Sequence, residues 1–129
     1  MILLDTHVLV WMKGDSRKLS RAALSAIRRS ERSGGLAISA ISLVELARLV
    51  ATSRIDPIGS VENTLQKLAD GIAVRPITLE IAAHTTYFAA DFPSDPADRT
   101  IAATARAENL PLVTADQRML NCRLLNTIW

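Results

Sequence analysis

The sequence is poor in several residue types that mark common classes of protein. A single cysteine, Cys122, stands among 129 residues, so the chain can form neither an internal disulfide nor a zinc site of several cysteines. Only two histidines occur, which disfavours metals that prefer imidazole ligands. Aromatic residues make up 4% of the chain and provide few surfaces on which unpaired bases could stack. These shortages exclude disulfide scaffolds and multi-cysteine zinc proteins.

The chain also lacks a long apolar run at its start. Asp5 interrupts the opening MILL before the core of a signal peptide or a membrane span could form. Together with the cysteine count, this predicts a cytoplasmic protein with no membrane partner. The 49% hydrophobic and 22% charged residues are typical of a globular chain, and the length predicts one domain over residues 1–129. A net charge of +2 permits a nucleic-acid partner without requiring one.

Short apolar runs alternate with segments of helical spacing along the chain. The runs predict buried strands at residues 1–4, 36–38, 72–74 and 112–113. The spacing predicts helices over residues 7–12, 21–31, 43–51, 61–68, 79–89 and 97–107. This alternation indicates an α/β fold with a parallel sheet between layers of helices. Ligands of such sheets bind beyond the carboxyl ends of the strands, so the polar residues that follow each run are the candidates for function.

Acidic side chains follow these runs. Asp5 comes directly after the first run, and Asp116 follows the run at 112–113. Glu45 lies on the helix after the second run, in an otherwise apolar stretch. Asp98 lies in the first turn of a helix that Asp95, followed by proline, is expected to cap. We expect these carboxylates to meet at one edge of the sheet.

Each acid also has a plainer interpretation. Asp5 and Asp95 are suited to cap helices, Asp116 to start a turn, and Glu45 to reach water from an amphipathic face. Several carboxylates gathered at one edge would, however, raise one another's pKa values and resist ionising together. A divalent cation removes that conflict, and all-oxygen ligands favour Mg²⁺ or Mn²⁺. Such ions promote attack of water on phosphorus, which suggests phosphodiester hydrolysis.

Several phrases of the sequence, taken in order, resemble one known family. They are LLDTHVLVW, ISAISLVELA, DPADRTIAATA, LPLVTAD and the closing TIW. In this order and spacing they resemble the PIN-domain family, and within it the VapC-type ribonuclease toxins of toxin–antitoxin pairs. The resemblance covers nearly the whole chain. It implies a three-layer sandwich with a five-stranded parallel sheet flanked by helices.

The resemblance also implies an activity and a set of site residues. It implies an endoribonuclease that depends on Mg²⁺ or Mn²⁺, an antitoxin that covers the site, and a homodimer. The family's catalytic acids fall on Asp5, Glu45, Asp98 and Asp116. Three of them, Asp5, Asp98 and Asp116, are the expected metal ligands, and the expected supporting groups are Thr6, Thr114 and Asp95. His7 is left outside the set, because the chemistry does not require it.

Basic residues concentrate near the second predicted helix and suit an RNA backbone. The expected RNA contacts there are Arg17, Lys18, Arg21, Arg28 and Arg29. A solvated helix face is the alternative interpretation. Arg99, beside Asp98, is a further candidate for a phosphate contact, with a surface carboxylate as its alternative partner.

Two other functions fit parts of the pattern. A phospho-receiver module also places aspartates beyond parallel strands and binds Mg²⁺, but it would want paired acids after the first strand and a late lysine, and the last lysine here is Lys67. A non-catalytic RNA-binding module would keep the carboxylates for folding alone. RNA that binds but is not cut under saturating Mn²⁺ would identify this second alternative.

Overall fold

The computed structural model describes all residues from Met1 to Trp129. The strands are β1 (Ile2–Leu4), β2 (Leu36–Ser39), β3 (Ile72–Arg75), β4 (Leu112–Val113) and β5 (Thr127–Ile128). The helices are α1 (Thr6–Lys13), α2 (Arg21–Arg32), α3 (Ala40–Ala51), α4 (Val61–Leu68), α5 (Leu79–His84), α6 (Pro96–Ala107) and α7 (Gln117–Leu120). A short 3₁₀ turn at Ser16–Lys18 joins α1 to α2. No helix combines the length and the apolar character needed to cross a membrane.

The strands form one parallel sheet in the order β3-β2-β1-β4-β5. Leu3 of β1 lies opposite Ala37 of β2 on one side and Leu112 of β4 on the other. The five-stranded parallel sheet flanked by helices confirms the α/β fold expected from the sequence. β2 lies beside β1, and β3 lies beside β2. The chain then crosses over to place β4 on the other side of β1, with β5 beyond it. The carboxyl ends of β1 and β4 therefore flank the point where a ligand binds in sheets of this kind.

The central strand is buried on both faces of the sheet. Ile2 and Leu4 contribute to one apolar core with Val8 and Leu9 of α1. Leu3 points into the second core, where it joins Ile101 of α6. This two-sided burial explains why the strand segments read as continuous apolar runs rather than as alternating ones.

Some element boundaries differ from the prediction. The helix expected over 79–89 ends at His84, because the hydroxyls of Thr85 and Thr86 donate to the carbonyls of Ala82 and Ala83 at 2.6 and 2.8 Å. The helix expected from residue 43 begins at Ala40, because the Ser39 side chain caps it.

Candidate active site

Asp5 begins the site at the carboxyl end of β1. One of its oxygens, Oδ1, accepts a hydrogen bond from the Thr6 backbone N–H at 2.8 Å, which makes Asp5 the cap of α1. The other oxygen, Oδ2, accepts from the Thr114 hydroxyl at 2.7 Å. Only 6% of the residue is exposed, so these bonds hold the carboxylate in one orientation. The capping role and the site position expected for Asp5 thus belong to the same side chain.

Thr114 connects the ends of β1 and β4. While its hydroxyl donates to Asp5, it accepts from the Asp116 backbone N–H at 3.0 Å. Asp116 in turn caps α7, since its Oδ1 accepts from the Arg118 N–H at 2.9 Å. The Arg118 guanidinium also approaches that oxygen at 3.7 Å. The single buried hydroxyl of Thr114 therefore connects Asp5, 109 residues earlier in the chain, with the segment that carries Asp116.

Glu45 reaches the same edge of the sheet from α3. The Thr6 hydroxyl donates to Glu45 Oε1 at 2.5 Å and lies 2.9 Å from the Ser42 hydroxyl. A threonine hydroxyl can donate only one hydrogen bond. Because Thr6 donates to Glu45, the Ser42 hydroxyl must donate to the Thr6 oxygen. Ser42 is fully buried and was not among the residues singled out from the sequence. Its position three residues before Glu45 shows its relevance only once the rotation of α3 is known.

Asp95 and Asp98 complete the group from the start of α6. Asp95 caps this helix through the Ala97 N–H at 3.1 Å, and proline follows it as the sequence indicated. Glu45, Asp95 and Asp98 each offer a carboxylate oxygen, and these oxygens lie within 4.8 Å of one another. Asp95, expected only as a supporting group, thus lies in the tightest cluster.

Burial, followed by repulsion between neighbouring acids, raises the pKa values of Asp5, Glu45 and Asp98. Burial and then the charge of Asp95, with smaller contributions from the other acids, raise the pKa of Asp98 to about 6. Burial is also the largest cause of the raised pKa of Asp5, with Asp116 adding to it. The pKa of Glu45 is raised by burial and by the charges of Asp5 and Asp95. The acids expected at one edge are therefore electrostatic neighbours.

Few protein cations offset this negative charge. No lysine or arginine forms an ion pair with Asp5, Glu45, Asp95 or Asp98. The charge of a protonated His7 would lower the pKa values of Asp5 and Glu45, although by less than burial raises them. His7 was set aside on sequence grounds, and its place two residues after Asp5, in the first turn of α1, was the available signal.

The cluster of acidic side chains is suited to bind a hard divalent cation. Glu45, Asp95 and Asp98 supply closely spaced oxygens without a cationic partner, and oxygen is the ligand type that Mg²⁺ and Mn²⁺ prefer. Asp5 and Asp116 lie outside this tightest group because hydrogen bonds turn their oxygens toward Thr6, Thr114 and Arg118. Both remain within electrostatic reach of Asp98. A cation bound among these oxygens would relieve the repulsion that raises their pKa values.

The basic residues expected to contact RNA lie on the 3₁₀ turn and along α2. Arg17 forms an ion pair with Asp15 at 2.9 Å. Arg28 and Arg29 lie near the end of α2, where the chain turns at Gly35 and accepts a hydrogen bond from Ile2 at the start of β1. This is the amino edge of the sheet, opposite the carboxylates. Lys18 and Arg21 are exposed before and at the start of α2.

Arg99 makes contacts within the protein. Its guanidinium donates to the Thr85 and Ala89 carbonyls at 3.1 and 3.3 Å. It also lies over the Phe92 ring, 5.8 Å from the centroid. These contacts fasten the segment between α5 and α6 to the helix that carries Asp98.

Comparison with known proteins places this architecture in a family. The model of the PIN domain matches residues 2–123 of the chain. The chain belongs to the PIN-domain family. Over 122 residues this PIN domain is 40% identical to Ribonuclease VapC22 of Mycobacterium tuberculosis, covering 95% of the chain and 92% of that protein.

Solved structures resemble the PIN domain over nearly its full length. VapBC2 from Rickettsia felis, bound to a DNA fragment from its promoter, is 19% identical with a TM-score of 0.75, covering 98% of this chain and 97% of that one. DNA-bound VapBC from Salmonella typhimurium is 18% identical with a TM-score of 0.71 and the same coverage. At these identities the likeness establishes the shared fold.

Proposed function

We propose that this PIN domain is an endoribonuclease that depends on Mg²⁺ or Mn²⁺ and acts as the toxin of a toxin–antitoxin pair. The observation that carries the proposal is the group of carboxylates formed by Glu45 of α3 with Asp95 and Asp98 at the start of α6, which has no cationic partner and lies within electrostatic reach of Asp5 at the end of β1. The 40% identity to a protein named Ribonuclease VapC22 supports RNA as the substrate. The proposed unit is a single domain over residues 1–129, working in the cytoplasm.

Each acid has a proposed role at the cation site. Asp98, from the tightest group of oxygens, would hold the cation together with Asp5 and Asp116, whose hydrogen-bonded oxygens keep further lone pairs for a ligand bond. Glu45 and Asp95 would complete the surroundings of the cation. A bound divalent ion supplies positive charge that makes water more acidic and offsets charge on the phosphate oxygens. Glu45 accepts a proton from the water that attacks phosphorus, because its raised pKa suits a general base and Thr6 fixes one of its oxygens. Water adds to phosphorus as the bond to the leaving oxygen breaks.

Metal dependence is the first test of this function. We expect the purified chain to cleave single-stranded RNA with Mg²⁺ or Mn²⁺, and excess EDTA to abolish cleavage because the acids then repel the phosphate. Excess Mn²⁺ should restore it. The measurement is the rate of product formation on a labelled RNA, and the control is Asp70→Asn, which removes an exposed acid outside the site. Cleavage that survives excess chelator would rule the mechanism out.

The proposed antitoxin acts on the same charges. A partner that inserts an arginine among the carboxylates would replace the charge of the cation, because a guanidinium fork pairs well with carboxylates. The solved neighbours named above are VapBC assemblies, which supports a protein partner. A homodimer is part of the same proposal.

A further inference from the structure

A second feature of the molecule, a groove beside the acidic site, has no role in the proposed cleavage chemistry. It lies between α1 and α4, has a volume of about 740 Å³, and is also lined by the segment around Arg54. His7 forms part of its lining and directly follows Thr6, whose hydroxyl donates to Glu45. At His7 the groove therefore adjoins the carboxylate site, although none of the site acids lines it.

Positive charge dominates the polar lining of this groove. Lys13, Lys18, Arg54 and Lys67 line it, and none of them forms an ion pair with a carboxylate. Only two acids line it, and one of them, Asp15, is already paired with Arg17 at 2.9 Å. Basic side chains without acidic partners can bind the phosphates of a polyanion along its length. The neighbouring carboxylates can hold the divalent ion at which one of those phosphates reacts.

The groove also offers an aromatic surface. Trp11 lines it, and its ring lies 6.1 Å from the His7 ring and 5.8 Å from the Trp129 ring. Aromatic faces bind unpaired bases by stacking, and cations beside them bind the phosphates between those bases. A duplex keeps its bases stacked on each other, so this combination favours a single strand.

We infer that the groove between α1 and α4 binds the single-stranded RNA that flanks the cleaved bond. Lys18, Arg54 and Lys67 contact its phosphates, and Trp11 stacks on one of its bases. The inference rests on the proposed function, since it gives the substrate a path to the same carboxylates. Of the basic residues singled out from the sequence, Lys18 is the one that lines this path.

Removal of two groove cations tests the inference through binding. The comparison is between Arg54→Gln/Lys67→Gln and the matched double variant Arg48→Gln/Arg123→Gln, which removes two exposed charges from outside the groove. Both are made in an Asp98→Asn background and measured in EDTA, by the anisotropy of a fluorescein-labelled 12-nucleotide single-stranded RNA. We expect the groove variant to weaken binding about tenfold or more and to reduce the slope of log affinity against log salt by about 1.4, for two lost phosphate contacts. The matched variant should keep most of the affinity.

Intrinsic fluorescence provides a second readout. The chain has two tryptophans, which contact each other, so a base stacked on Trp11 should quench their emission during the same titration. Unchanged affinity and slope in the groove variant would overturn the inference. So would a groove variant that binds RNA normally but loses a co-expressed antitoxin, since the groove would then hold a protein.

A cleavage measurement separates this inference from the proposed function. In the otherwise unchanged chain, Arg54→Gln/Lys67→Gln should raise KM with little change in kcat, because these residues bind substrate without touching the reacting phosphate. A chain that never cleaves RNA would refute the proposed function while the binding data still tested the groove. Cleavage with an unaltered KM in the groove variant would refute only the groove.

Discussion

Replacement of Asp98 by asparagine is expected to reduce RNA cleavage about 10³-fold or more and, at pH 7, to stabilise the metal-free protein. The first effect follows because loss of a carboxylate from a cation site removes several kcal/mol of transition-state stabilisation. The second follows because burial, and then repulsion from Asp95 and the other nearby acids, disfavours the charge of Asp98 in the folded state. Asp98, although required for activity, should therefore lower the free energy of unfolding of the metal-free protein.

The sign of the pH dependence follows from the raised pKa. The pKa of Asp98 is about 6 in the folded protein against an ordinary 3.8, so the folded state holds this proton more tightly than the unfolded state does. Its stabilising contribution is complete below about pH 4 and is lost as the pH rises through 6. The full shift corresponds to about 3 kcal/mol, which solvent screening of this partly exposed group reduces to about 1 kcal/mol.

Thermal unfolding in EDTA across pH 4 to 8 measures this effect. Asp98→Asn should melt a few degrees above the natural chain at pH 7, and the difference should vanish near pH 4. Asp70→Asn, which removes an exposed acid, should follow the natural chain at every pH. If Asp98→Asn instead melted lower than the natural chain at pH 7, the carboxylates would not be in repulsive contact.

Replacement of Thr114 by valine carries the second large expected effect. The substitution nearly preserves shape, but it deprives Asp5 Oδ2 of its donor and the Asp116 N–H of its acceptor. An unsatisfied buried group costs about 1–3 kcal/mol. Asp5 would also lose the contact that sets its orientation, and loss of such a supporting bond lowers activity about 10- to 100-fold. Denaturant unfolding and cleavage rates at saturating Mn²⁺ measure the two losses.

Thr114→Ser is the matched control for this prediction. Serine keeps the hydroxyl and removes only a methyl group, so it should retain most of the activity lost in the valine variant. The position is fully buried, and both variants therefore sample the same packing environment. Equal activity of the serine and valine variants would show that the hydroxyl does not orient Asp5.

The positions of the strand-end acids could be predicted from the sequence because they depend on a topological rule. Parallel strands end at the same edge, so Asp5 and Asp116 were expected at one edge once the apolar runs were assigned to one sheet, and the adjacency of β1 and β4 then brings them together. The start of α6 was equally accessible, because Asp95 and the following proline make a strong local signal.

Other features depend on geometry that local patterns do not encode. The contact of Thr6 with Ser42 and Glu45 requires a particular rotation of α3 against α1, which tertiary packing decides. The number of basic residues near α2 likewise did not indicate that Arg28 and Arg29 lie toward the edge of the sheet opposite the carboxylates. The early end of α5 came from threonine hydroxyls that compete for backbone carbonyls, an effect that apolar spacing does not reveal.

Calorimetric titration with Mn²⁺ at pH 6, in two buffers of different ionisation enthalpy, tests most directly whether the gathered carboxylates form a cation site. Asp98 is partly protonated at this pH, so binding should release protons, and the release should decline by pH 8. Asp98→Asn should bind Mn²⁺ weakly and release few protons. An absence of Mn²⁺ binding to the natural chain, or equal binding to both chains, would contradict the account.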